Sequence, residues 1–248
     1  MSITDKTILV TGANRGIGRA LVDEALARGA KRVYAGTRQP LTHPDERVTP
    51  LTLDITSAAQ IQGAARRVPS LDILINNAGV AIYEDLSERA ALERQLAVNL
   101  FGTYEVTRAF LPLLTSSGGA IVNILSLAAI AAVPVMPAYS ISKAAMFSLS
   151  QSMRALLSGQ GVRVHAVLGG PVDTDMTRTL KIPKSAPESV ARGILDGVDK
   201  GEEEIFPDVL SATIADGWYR GVAKVLERQN AALLEAAPAP DEGRVTGS

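Results

Sequence analysis

Apolar and polar positions along this chain change period repeatedly. Short β-branched runs alternate with longer stretches in which apolar residues recur every three or four positions. The short runs predict strands at 7–10, 32–35, 48–53, 71–75, 120–125 and 163–168, with a short last one at 204–206. Between them the helical period predicts helices at 16–28, 58–68, 87–114, 137–158 and 187–200. Gly29 marks the stop of the first helix, and Pro137 suits a first helical position. One or two further helices are expected across 209–236, carrying Trp218 and Tyr219. The 120–125 run is apolar throughout except Asn123, as for a parallel strand covered on both faces. Strand and helix in alternation imply βαβ units and an α/β fold. No internal repeat and no linker interrupts it, so residues 1–236 are expected to form one domain. Residues 237–248, opening on Ala237-Pro238-Ala239-Pro240, are expected to be a disordered tail.

One charge-free stretch, from Arg108 to Lys143, needs a membrane test. A spanning helix needs roughly 20 predominantly apolar residues. Here Ser116 to Gly119, Asn123, Pro134 and Pro137 break the run, so a buried strand, a loop and a helix start fit better.

Composition narrows the picture further. The chain has 248 residues, 46% hydrophobic, enough for a sizeable core. Lys+Arg number 25 against 26 Asp+Glu, so no basic excess points to nucleic acid or anionic lipid. Cysteine is absent, which removes disulfides, thiolate catalysis and Cys-based metal sites and suits a reducing cytoplasm. The polar residues 1–6 lack a signal-peptide layout. His43 and His165 form no metal or triad pattern, so no metal is expected, and no Gly-x-Ser-x-Gly elbow suggests hydrolysis.

The chemistry gathers at strand ends. After the first strand comes a turn of Gly-x-x-x-Gly-x-Gly form, with Gly12, Asn14, Arg15, Gly16, Ile17 and Gly18. Glycines allow a tight turn and let backbone N–H groups approach a phosphate, at the positive end of the next helix. A dinucleotide is the expected ligand. NAD sites usually carry an acid about 20 residues on, which accepts from the ribose 2′-hydroxyl. Residues 25–44 hold no acid, and Arg38 ends the second strand. A guanidinium suits a 2′-phosphate, with Arg15 as a second cation, so NADP(H) is expected in preference to NAD(H). Asp54, followed by Ile55, ends the third strand, where its carboxylate suits an adenine amino group or an ordinary turn. Asn76, Asn77, Ala78 and Gly79 close the fourth strand at the same edge, placed to brace the turn and admit a cofactor.

Tyr139 and Lys143 stand four apart on one helix face, and Ser126 lies at the end of the fifth strand. A free tyrosine, with a pKa of about 10, is a poor base near neutrality. A nearby ammonium, together with a positive nicotinamide ring, favours the phenolate. Tyr139 then exchanges a proton with a carbonyl or alcohol oxygen, Ser126 hydrogen-bonds that oxygen, and Lys143 also holds ribose hydroxyls. Asn99, mid-helix, is read as holding a water that links Lys143 to solvent.

Together these motifs resemble the short-chain dehydrogenase/reductase family, in its compact single-domain branch, over about residues 5–207. The resemblance implies a Rossmann-type, doubly wound parallel sheet of about seven strands in a three-layer α/β/α sandwich. It implies hydride transfer with Tyr139 as acid/base, and homodimers or homotetramers paired through the helices at 87–114 and 137–158. One departure stands out: Gly169 occupies the place of the family's proline after the sixth strand. Gly170, Val172 and Thr174 still match the group that holds the nicotinamide carboxamide. An apolar wall of Val80, Ile82, Leu127, Ala128, Val133, Met136, Val172, Met176 and Leu180 suits an uncharged, fairly hydrophobic ketone, aldehyde or alcohol. Trp218 and Tyr219 are placed to reach it from this chain or a neighbour. The alternatives are a non-catalytic NADP(H) sensor, disfavoured because Tyr139 and Lys143 are both kept, and a sugar-nucleotide epimerase, disfavoured by the short chain after the sixth strand.

Overall fold

The computed structural model describes residues 1–232; the expected tail at 237–248 lies outside them. Seven strands form one sheet: β1 (Thr7–Thr11), β2 (Arg32–Thr37), β3 (Val48–Thr52), β4 (Ile73–Asn76), β5 (Ala120–Ile124), β6 (Arg163–Val167) and β7 (Glu204–Ile205). Their order is β3-β2-β1-β4-β5-β6-β7, and every pair is parallel. The chain runs outward one way from β1 to β3, then returns to place β4 on the other side of β1. Leu9 is level with Tyr34 on one neighbour and Leu74 on the other.

The burial pattern shows why the strand sequences read as unbroken apolar runs. All five residues of β1 are buried. Successive side chains point to opposite faces, and both faces are covered. Ile8 and Val10 join the core under the helices α1 (Gly16–Ala27) and α6 (Pro187–Lys200), against Leu21, Ala25, Ile194 and Val198. Leu9 points the other way, into a core with Ile61, Phe110 and Leu157. That layer is made by α2 (Ala58–Arg67), α4 (Thr103–Ser117) and α5 (Pro137–Leu157). The architecture is the three-layer, doubly wound Rossmann sandwich.

The helix expected at 87–114 is present with an interruption. α3 (Arg89–Leu96) passes into a π-helical segment, Ala97–Gly102, before α4 begins. Within that segment Asn99 and Gly102 are buried. The C-terminal region forms two helices, α7 (Val209–Tyr219) and α8 (Val222–Ala231), with Gly221 between them. They are fastened at the β7 edge by an ion cluster. Lys224, 1% exposed, lies 2.7 Å from Glu203, 2.8 Å from Glu204 and 2.9 Å from Glu227. Arg154 of α5 reaches Glu204 at 2.9 Å and also pairs with Glu227. No helix among the described residues is long and apolar enough to cross a membrane.

Candidate active site

The glycine turn is built from both sides of β1. Gly12 and Gly16 take φ of 66° and 52°, the left-handed region that favours glycine. Thr11 Oγ1 accepts from the N–H groups of Asn77 and Ala78, both at 3.0 Å. Asn77 Nδ2 returns bonds to the carbonyls of Thr11 (2.9 Å) and Gly12 (3.2 Å). Gly18 sits so close that an added Cβ would lie 2.2 Å from the Gly12 carbonyl oxygen. The first turn of α1 then opens toward the cleft. Its N-cap, Arg15, makes no side-chain cap bond, and no acid stands in that turn. Free N–H groups, a positive helix end and a surface bared of side chains are what a pyrophosphate requires, and they fit a dinucleotide.

A cleft of about 420 Å³ runs from this turn along the carboxyl ends of the strands. Asn14, Arg15, Gly16, Ile17 and Gly18 form its floor on one side. Beyond β2, Arg38 lines it between Thr37 and Gln39; beyond β3, Asp54 and Ile55 do. Asp54 Oδ1 accepts from the Thr56 N–H (2.9 Å) and hydroxyl (2.7 Å), and these bonds hold its carboxyl below the usual carboxylate range. The carboxylate therefore serves a turn while one edge faces the cleft. Arg15 is not free: its guanidinium pairs with Asp175 at 2.8 Å across the cleft mouth, on an exposed surface.

At the other end lie Tyr139 and Lys143, both lining the cleft on consecutive turns of α5. The Lys143 ammonium is 5.6 Å from the centre of the Tyr139 ring and donates to the Ile124 carbonyl at 2.8 Å. Burial pushes the phenol up to about 12, while its hydrogen bond with Ser126 pulls the other way. Burial draws the Lys143 ammonium down to about 8. In the chain alone, burial therefore favours the neutral phenol of Tyr139. Tyr139 and Lys143 thus share one cleft with the glycine cradle, an arrangement that sets a proton donor and a cation at the far end of a dinucleotide-sized groove. A family model for short chain dehydrogenases matches residues 6–184.

The chain belongs to the short-chain dehydrogenase family.

As a short-chain dehydrogenase it is an enzyme, an NAD(P)-dependent oxidoreductase working between CH–OH and C=O. It is 34% identical over 206 residues to 2-(S)-hydroxypropyl-CoM dehydrogenase 3 of Xanthobacter autotrophicus, covering 77% of this chain and 81% of that protein. It is 34% identical over 200 residues to 2,3-dihydro-2,3-dihydroxybenzoate dehydrogenase of Escherichia coli, covering 78% and 80%. Among solved structures, a short chain dehydrogenase from Burkholderia cenocepacia in complex with NADP superposes with a TM-score of 0.83 at 38% identity, covering 92% of this chain and 99% of that one.

The remaining expected residues of this short-chain dehydrogenase fall as follows. Ala78, Gly79 and Thr174 line the cleft. Asn99 does not; its Oδ1 accepts from Val80 N–H (2.9 Å), and its Nδ2 donates to Val80 O (2.8 Å) and Ser142 Oγ (2.9 Å). The side-chain donors are thus spent on a clamp. Val172 is buried in the core. Gly170 lies outside the cleft, with its N–H donated to Asp208 Oδ2 at 2.8 Å. Of the expected apolar wall, Val80 and Met176 line the cleft, whereas Ala128 is buried. Trp218 and Tyr219 do not line the cleft of their own chain: Trp218 stacks edge-on against Phe147 at 5.4 Å and bonds Glu204, and Tyr219 bonds the Glu204 carbonyl. His165 is a buried sheet residue, Nδ1 against the Glu202 carbonyl at 2.6 Å, with burial lowering its pKa to about 4. Sequence reading missed Glu84. Its Oε1 accepts from the Ala138 N–H at 2.8 Å and caps the helix that carries Tyr139. Nothing local announces that bond, which spans 54 positions.

Proposed function

We propose that the protein is an NADP(H)-dependent oxidoreductase that interconverts an uncharged, fairly hydrophobic ketone or aldehyde and its alcohol, with Tyr139 as acid/base. The observation that carries this reading is the placement of Tyr139 and Lys143 in the cleft that begins at the glycine cradle and passes Arg38. When bound, the nicotinamide supplies the hydride for reduction and accepts it for oxidation. Tyr139 holds its proton at the phenolic oxygen and gives it to the substrate oxygen as negative charge develops there. Ser126 donates a hydrogen bond to the same oxygen. Lys143, an ammonium below about pH 8, supplies positive charge beside the phenol and eases its ionisation in the oxidative direction.

Preference for NADP(H) rests on Arg38 at the end of β2 and on the lack of any acid between residues 25 and 44. The NADP found with the Burkholderia protein supports it. Met176 and Val80 give the substrate end an apolar lining. Pairing of two copies through the long helices is supported by Phe101, Ile141 and Leu156, all exposed on them.

The test is a purified-enzyme assay with NADPH and NADH against a panel of carbonyls and alcohols. Tyr139→Phe is expected to lower kcat by at least about a thousandfold while the Kd for NADPH stays within a few-fold. Arg38→Ala is expected to weaken NADPH by at least about tenfold and leave NADH nearly unchanged. A fully active Tyr139→Phe enzyme overturns the mechanism, and equal effects on both cofactors overturn the 2′-phosphate role of Arg38.

A further inference from the structure

The turn after β6 contains two adjacent glycines, Gly169 and Gly170, in a place where backbone freedom is greatest. The structure nevertheless fixes one peptide group of that turn at both ends. Its carbonyl, Gly169 O, accepts from the Leu127 N–H at 2.9 Å. Its N–H, on Gly170, donates to Asp208 Oδ2 at 2.8 Å. Leu127 directly follows Ser126. A single planar group therefore links the residue after Ser126 to a carboxylate at the start of α7.

Asp208 is well placed for this. It is 7% exposed and divides its oxygens between two tasks. Oδ1 accepts from the N–H groups of Leu210 (3.1 Å) and Ser211 (3.0 Å), capping α7. Oδ2 accepts from Gly170 N–H and from the Ser211 hydroxyl at 2.9 Å. A charged acceptor makes a short, strong bond, and it polarises the peptide so that Gly169 O becomes the better acceptor for Leu127. Capping α7 does not require the bond to Gly170, since the Oδ1 pair alone satisfies the helix end.

We propose that Asp208 is a positioning residue for Ser126, acting through the Gly169–Gly170 peptide and the Leu127 N–H. The proposal rests on the catalytic reading of Ser126 given above. Rigid β6-turn geometry is supplied here by a carboxylate on another element, in place of a stiff residue within the turn.

Asp208→Asn separates the two tasks. Asparagine is as good an N-cap as aspartate, but its NH₂ would face the Gly170 N–H donor to donor. The variant is expected to lose at least about tenfold in kcat, with the Kd for NADPH within about twofold of wild type. Hydrogen exchange at Gly170 and Leu127 is expected to quicken by about tenfold or more, while α7 stays protected. Gly169→Pro added to Asp208→Asn is expected to recover much of kcat. Proline fixes φ, a Cβ at Gly169 meets nothing nearer than 3.6 Å, and the Gly169 φ is not positive. Gly170→Ala gives a second route that leaves Asp208 intact: its Cβ would fall 2.9 Å from Asp208 Oδ1 and push the turn away. It should reproduce the kcat loss.

Wild-type kcat in both Asp208→Asn and Gly170→Ala overturns the proposal. So does a loss that proline fails to rescue and that leaves exchange at Gly170 and Leu127 unchanged, since Asp208 would then be a helix cap alone. Absence of turnover by the wild-type enzyme on every carbonyl and alcohol would strike the proposed function instead, and the exchange arm would still decide whether the clamp exists.

Discussion

At the scale of single residues, the site holds a cation where a core would prefer none. Lys143 is 7% exposed, and its one bond is to the Ile124 carbonyl. A folded-state pKa of about 8, against 10.5 for a free lysine, means that the ammonium costs the fold up to about 3 kcal/mol below pH 8. Losing the bond to Ile124 returns about 1 kcal/mol of that. Lys143→Met is therefore expected to abolish turnover and yet raise stability at pH 7 by about 1–2 kcal/mol. The sign is checkable. Between pH 8 and 10.5 the unfolded chain holds a proton that the folded one has released, so wild-type stability rises with pH. The advantage of Lys143→Met should shrink across that window. Urea melts at pH 7 and pH 9.5 measure it; a variant less stable than wild type at pH 7 removes the strain argument. Arg15 presents the opposite case. Its pair with Asp175 is exposed, so it contributes little to stability and its guanidinium is cheap to redirect.

Elements show what periodicity can carry. The strands at 7–11, 120–124 and 163–167 and the helix Pro187–Lys200 follow from local pattern, because burial on one or both faces writes itself into spacing. The Gly12, Gly16 and Gly18 turn was legible for the same reason: backbone chemistry constrains residue type where it occurs. The π segment at Ala97–Gly102 was not. It arises where Asn99 is clamped to Val80 and Ser142, and where Gly102 presses on the Ile55 carbonyl, with an added Cβ only 2.8 Å away. Those partners are distant in sequence, as is Gly170 from the Asp208 cap. Trp218 and Tyr219 escaped for a related reason: the buried Glu204 turns them toward the sheet edge. Gly18 supplies the element-scale prediction. Gly18→Ala forces α1 away from β1, because its Cβ would overlap the Gly12 oxygen at 2.2 Å and Asn77 Nδ2 at 2.5 Å. NADPH affinity should fall by at least about tenfold, with a stability loss of about 1–3 kcal/mol. Titration by fluorescence settles it, and unchanged affinity would mean that the cradle is not where the cofactor lies.

Over the whole molecule, stability depends on how the C-terminal helices are secured. Glu204 is 0% exposed and answers to Arg154 from α5, Lys224 from α8 and Trp218 from α7. Removing one partner of a buried ion set strands the others, at about 3–5 kcal/mol. Lys224→Met is expected to lower stability by that amount. If Tm is unchanged, the cluster is incidental and packing alone holds α7 and α8. The order of the sheet carries a consequence for synthesis. Each strand, as it leaves the ribosome, meets an edge that is already waiting: β2 beside β1, β3 beside β2, β4 on the vacant side of β1, and then β5, β6 and β7 in turn. No strand must be threaded between two others, so the nascent chain can grow by addition alone. At every stage, however, one hydrogen-bonding edge lies bare and able to pair with a neighbouring polypeptide. The hazard on the growing side passes from strand to strand until β7 and the Glu204–Lys224 fastening arrive. A nascent chain whose β6 has emerged but whose β7 has not would thus display a nearly complete dinucleotide cleft beside an open β6, an edge that only β7 then covers.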